Sequence, residues 1–111
     1  MMTESALQSQ LLLRAPIELP DLRLFRRNVG VARSIRDGAI TRFGIKGQPD
    51  LYGLWRGGGF VEVELKSKNS RLRPEQAAYA AWCASWGVKH IVLVESSIDD
   101  WIASLRLTQP K

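Results

Sequence analysis

A chain of 111 residues, 45% of them hydrophobic, buries roughly two-thirds of its unfolded surface, enough for one core and not for two; it reads as a single domain over 1–111. One cysteine (Cys83) and one histidine (His90) exclude an internal disulfide and a zinc centre with the usual three or four such ligands, and no run of about 18 apolar residues is present to span a membrane. The net charge of +5 lies in residues 22–73, where nine Arg and three Lys face four acids, between two slightly acidic flanks; such a block suits an anionic partner, with a solvated basic face as the alternative.

The opening Met-Met-Thr-Glu-Ser lacks the basic region and apolar core of a signal peptide, so a cytoplasmic protein is expected. Residues 3–14 predict a helix capped by Thr3, with Ala6, Leu7, Gln10, Leu11 and Leu13 on a mixed face. Pro16 and Pro20 are expected to end it. Arg23–Val29 is strand-like, the Gly-, Arg- and Ser-containing stretch after it reads as loop, and Ala39–Phe43 as a short strand.

The centre of the chain is more explicit. Asp50–Trp55 and Phe60–Lys66 flank Arg56-Gly57-Gly58-Gly59, the pattern of a β-hairpin with a glycine-rich turn. Alternation in the second strand puts Val61, Val63 and Leu65 on one face and Phe60, Glu62, Glu64 and Lys66 on the other. Residues 74–86 predict a helix, with Pro74 at its first position and Gly87 past its end. The apolar run Val88–Val94 predicts a strand covered on both faces, and Ser97 with Asp100 a capping box opening a last helix through about Leu105. Helix, strands, helix, strand, helix is the order of an α/β sandwich with a mixed sheet flanked by helices.

Chemistry is suggested where the hairpin strands meet. Residues at i and i+2 share a strand face ~6.5–7 Å apart, so Glu64 and Lys66 point the same way, and Asp50 opens the adjoining strand. Two carboxylates, a backbone carbonyl and waters suit Mg²⁺. The bland alternative is that Glu62, Glu64 and Lys66 form the solvated face of an edge hairpin and that Asp50 is a turn residue. Glu62, a step further from Asp50, is read as a partner for a basic side chain. Tyr79, Trp82 and Trp86 fall on one helix face, as core or subunit interface. His90 reads as structural and Cys83 as a packed helix residue.

Gly47-Gln48-Pro49-Asp50, then Glu64-Leu65-Lys66, then Gln76 in Arg73-Pro74-Glu75-Gln76 resembles the PD-(D/E)XK nuclease superfamily. Phe43-Gly44 before Lys46, Arg27-Asn28-Val29-Gly30, and Glu4 with Gln8 on the opening helix make the chain similar, more narrowly, to the VRR-NUC (virus-type replication-repair nuclease) family. The resemblance runs from about Glu4 to the final helix. It implies a restriction-endonuclease-like α/β core in a bacterial or phage-type protein, a DNA endonuclease using Mg²⁺ with Mn²⁺ as substitute, and a homodimer acting on branched DNA as Holliday junction resolvases do. By position it implies metal ligation by Asp50, Glu64 and the carbonyl of Leu65, catalysis by Lys66, Gln76 beside the site and Glu4 as an additional acid. Arg26, Arg27, Lys46, Lys68, Arg71 and Arg73 are the candidate DNA contacts. Arg73 departs from the family's usual Ser or Thr, an expected weakening of the helix cap. A nickase or flap nuclease of the same fold, and a non-catalytic basic nucleic-acid-binding domain, are the rival readings.

Overall fold

A computed structural model describes residues 2–27 and 30–108, and within them the side chains of all but 30–32, 41–43, 107 and 108. The first helix, α1 (Glu4–Glu18), starts as expected: Thr3 is extended and its hydroxyl accepts the Ala6 N–H at 3.1 Å. It does not stop at Pro16. A proline in the last turn removes one backbone bond, and two features offset that loss. Leu7, Leu11, Ala15 and Leu19 form an i, i+4 stripe that is wholly buried, and Arg14 reaches across the proline to Glu18 while also contacting Asp99 at 2.7 Å.

Four strands form the main sheet: β1 (Leu22–Arg26), β4 (Leu51–Trp55), β5 (Phe60–Leu65) and β6 (Lys89–Leu93), in the order β1-β4-β5-β6. β1, β4 and β5 are antiparallel neighbours, whereas β6 runs parallel to β5, which requires a crossover. That crossover is α2 (Pro74–Ser85), and Gly87 at φ +73° ends it in the left-handed region that a side chain disfavours. The sheet is mixed and flanked by helices, as the element order implied. Arg23–Val29 was expected as one strand; β1 ends at Arg26, and Asn28 and Val29 lie outside the described residues.

One face of the sheet presents Leu51, Val61, Val63 and Leu65 to Leu7 and Leu11 of α1 and to Ile98, Ile102 and Leu105 of α3 (Ile98–Thr108), forming one continuous apolar core. A 3-10 turn, Glu95–Ser97, leads into α3. Ser97 therefore does not cap the helix with Asp100; its hydroxyl accepts the Val94 N–H at 2.9 Å and closes the turn. The strand β6 is not covered on both faces either. It is the sheet edge, so Leu93 is buried against the core while Val92 is 42% exposed.

The stretch read as loop after β1 holds a further strand, β2 (Gly30–Arg33), paired antiparallel with β3 (Ile40–Phe43) in a separate two-stranded ladder. Its turn is built by Asp37, whose carboxylate accepts the Ala39 N–H at 2.9 Å, and by Gly38 at φ +73°. Asp-Gly between short strands is a hairpin signal.

Candidate functional site

The register of the sheet brings the two acids together. β4 and β5 pair Leu51 with Val63 and Tyr52 with Glu62; one more rung along, Asp50 stands opposite Glu64. Directly opposed residues have Cβ atoms ~4.5–5.5 Å apart. On the other side, the Arg27 N–H donates to the Asp50 carbonyl at 2.6 Å, so the rung continues into β1. The ends of three strands thus meet at Asp50.

The acids and the lysine of β5 on this face are not solvated, whereas Asp50 and Phe60 are exposed. Glu62 is fully buried, Glu64 is 3% exposed and Lys66 5%. Burial pushes the Glu64 carboxyl up to about 7; Asp50 and Glu4 repel its ionised form while Lys66 and Arg73 favour it. Acids and bases from α1, β4, β5 and the α2 entry therefore all bear on one carboxylate. Its Oε1 atom is buried and has no hydrogen-bond partner among the described residues, and such an atom asks for a donor or a cation.

α1 supplies two side chains to this centre. Gln8, buried, donates from Nε2 to the Asp50 carboxylate at 2.8 Å. Glu4 accepts from the Ser67 N–H at 3.2 Å and hydroxyl at 3.4 Å, so the additional acid sits at the exit of β5 beside Lys66. The resemblance pairs Gln8 with Glu4 but gives Gln8 no role of its own. Its spacing of one helical turn from Glu4 was the available signal.

Gln76 is buried, and its carbonyl oxygen accepts the Arg73 N–H at 2.8 Å. The helix cap expected to suffer from Arg73 is thus restored by Gln76. The Arg73 side chain lies 3.2 Å from Glu75. The Glu75 carboxyl is held below its ordinary value by its own backbone N–H, with Lys46 and Arg73 adding to the effect. Arg26, Lys46, Lys68, Arg71 and Arg73 are all exposed.

Arg27 is placed differently. Its guanidinium donates to the Pro49 carbonyl at 3.0 Å, approaches Glu62 at 2.8 Å and covers the Tyr52 ring at 4.8 Å. Glu62 also accepts from the Tyr79 hydroxyl, which Gln48 contacts at 3.4 Å. Arg27 therefore clamps the loop that carries Asp50, with its guanidinium turned inward. Glu62 is the partner of a basic residue, as read. His90 is half-buried against Tyr79, and its burial holds its pKa below the ordinary range.

The same loop leans on the first turn of α2 at Gly47. A Cβ there would lie 2.1 Å from the Glu75 carbonyl oxygen, and φ is +94°. Gly47→Ala is expected to lose roughly 2–4 kcal/mol, from left-handed backbone strain plus a clash with main chain that has no rotamer to yield. Urea unfolding midpoints of the two proteins measure it.

Cys83 is buried in α2, as expected. Trp82 and Trp86 are 44% and 71% exposed and their tilted rings meet at 5.1 Å, so this pair is surface and not core. Trp101 packs against the core. Among the described residues no three or more His, Cys, Asp and Glu are grouped to hold a metal, so the candidate ligand set is two carboxylates with the Leu65 carbonyl. No helix of the described residues is long and apolar enough to cross a membrane.

No family model matches the chain, and no curated protein does. Among solved structures, the chain is similar to the crystal structure of paFAN1 bound to 1-nucleotide 5′-flap DNA with a gap, at 27% identity and a TM-score of 0.40. The overlap covers 43% of this chain and 9% of that one, so this chain spans a small fraction of its length. A likeness of that extent fixes neither fold family nor activity.

Proposed function

We propose that the protein is a metal-dependent deoxyribonuclease with a PD-(D/E)XK core of VRR-NUC type. The reading is carried by the β4–β5 register, which one rung beyond Leu51–Val63 sets Asp50 opposite Glu64, with Lys66 buried on the same face and a buried Glu64 oxygen that has no hydrogen-bond partner among the described residues. The donor set fits a hard divalent cation: oxygens only, two of them from carboxyl groups, in a site where burial above all, with Asp50 and Glu4 adding to it, raises Glu64. Asp50, Glu64 and the Leu65 carbonyl would hold Mg²⁺, with Mn²⁺ as substitute. When bound, the ion polarises the scissile phosphate and lowers the pKa of an attacking water.

The chain's own groups divide the remaining work. Lys66 orients the water and meets charge developing on the phosphate. Gln8 fixes the rotamer of Asp50. Glu4, held by Ser67, adds negative charge at the rim, and Gln76 sits at the helix entry beside the centre. Lys46, Lys68, Arg71 and Arg73, exposed around it, bind phosphates. The substrate is branched DNA of the Holliday-junction kind, cut by a homodimer, since symmetric cleavage needs two sites related by a two-fold axis. The Trp82–Trp86 face, apolar and exposed, offers the subunit contact.

Asp50→Asn and Lys66→Ala are expected to leave DNA affinity within about threefold while Mg²⁺-dependent cutting falls by roughly 10³ or more. Cutting that survives both changes removes the proposal. A panel of four-way junctions, flaps and linear duplexes, with Mg²⁺ or EDTA, separates junction resolution from nicking and flap cleavage, and light scattering gives the oligomer.

A further inference from the structure

None of the described side chains of the hairpin β2–β3 belongs to the core. The two strands pack on each other and, among the described residues, on no other element extensively. Two strands alone are marginal in water, and among the described residues no third strand pairs with either outer edge. Every side chain from Arg33 to Ile40 is exposed, Ile35 completely. Between Gly30 and Lys46 the sequence bears Arg33, Arg36, Arg42 and Lys46 against the single acid Asp37. Asp37 is engaged in its own turn by the Ala39 N–H.

The root of this arm is the candidate site. The chain leaves the sheet after Arg27 and returns at Pro49 and Asp50, and the Arg27 N–H to Asp50 carbonyl bond closes its base. At ~3.3 Å per extended residue, Arg33 stands up to roughly 20 Å along the chain from that rung. A second copy of a chain with net charge +5 meets a basic arm with repulsion, whereas a polyanion complements it. A two-stranded ribbon also matches the ~12 Å major groove of B-form DNA.

We propose that β2–β3 is a duplex-gripping arm that lies along the major groove beside the cleavage point, with Arg33 and Arg36 on phosphates. This rests on the nuclease reading and adds to it a second binding element, one that holds the duplex flanking the scissile bond.

The test is Arg33→Ala/Arg36→Ala, compared with the unaltered chain for binding of a fluorescent duplex in EDTA across 50–200 mM salt. Loss of two phosphate contacts flattens the log–log salt dependence by roughly two and weakens binding roughly tenfold, uniformly across sequences. Melting temperature stays unchanged, because the substituted side chains are exposed. An unchanged slope and affinity, with Asp50→Asn still abolishing cutting, overturns the arm and leaves the nuclease reading standing. An unaltered chain that neither binds nor cuts DNA overturns both. A variant that keeps its DNA affinity but dissociates by light scattering shows the arm to be a subunit clamp, and overturns the proposal.

Discussion

Glu64→Gln is expected to abolish cleavage and, in EDTA above pH 7, to make the protein more stable than its parent. The reason is the desolvated carboxylate. Folding raises the Glu64 pKa from an ordinary 4.5 to about 7, with burial as the main cause. The folded state therefore binds this proton more tightly than the unfolded state does. Stability then falls as pH rises from about 4.5 to about 7 and is level above, where the ionised group costs the fold up to roughly 3 kcal/mol. Glutamine is nearly isosteric and never ionises, so the variant loses that slope. Thermal unfolding in EDTA at pH 5 and pH 8 reads the difference: the gain is nearly full at pH 8 and falls to about a quarter of that at pH 5. Mg²⁺ is expected to raise the parent's melting temperature and leave the variant's unmoved, since ligand stabilises only the state that binds it. Activity falls by roughly 10³ or more, the several kcal/mol a bound cation contributes. A parent whose stability is flat between pH 5 and pH 8 contradicts the buried, cation-free carboxylate on which this rests.

How far the sequence carried this site depends on which physics decides each part. Strict alternation from Phe60 to Lys66 put Glu64 and Lys66 on one face, because strand geometry is local. It left open whether that face is wet, since covering it requires α2, and α2 is seated through the Gly47–Glu75 approach, a long-range contact with no periodicity of its own. Glu62 and Glu64 thus had the solvated face of an edge hairpin as their alternative, and the structure buries both. Pro16 shows a local rule losing to tertiary gain: the apolar stripe through Leu19 and the Arg14–Glu18 pair carry α1 past it. The β2–β3 hairpin had its turn signal in Asp37-Gly38, but strands of four residues each are too short to show a clear alternation. The inward turn of Arg27 was not legible at all. An arginine in a basic block looks like its neighbours until the structure shows what its guanidinium touches.

That turn leads to the other large effect. Arg27→Ala is expected to destabilise the protein by roughly 3–5 kcal/mol, because it leaves Glu62, fully buried, with its charge uncompensated. The remaining partner of Glu62 is Tyr79, whose hydroxyl is pushed up to about 12 by burial and by donating to Glu62, so it donates throughout the working pH range but neutralises nothing. The loss also frees the Pro49 carbonyl and loosens the loop that presents Asp50 to Glu64, so cleavage falls along with stability. Arg27→Lys recovers little, since one ammonium cannot bridge the Pro49 carbonyl and the Glu62 carboxylate as a planar guanidinium does. Two measurements separate this clamp from the phosphate contact that the sequence alone suggested. Denaturant unfolding without DNA detects the clamp, whereas a phosphate contact leaves it unmoved and lowers the salt slope of DNA binding by about one. Arg27→Ala that unfolds like its parent and changes only the salt slope returns Arg27 to the DNA-binding face. A large loss of stability with Glu62→Gln partly restoring it in the double variant places the pair at the heart of the site, since the uncharged amide removes the penalty while keeping an acceptor for Tyr79.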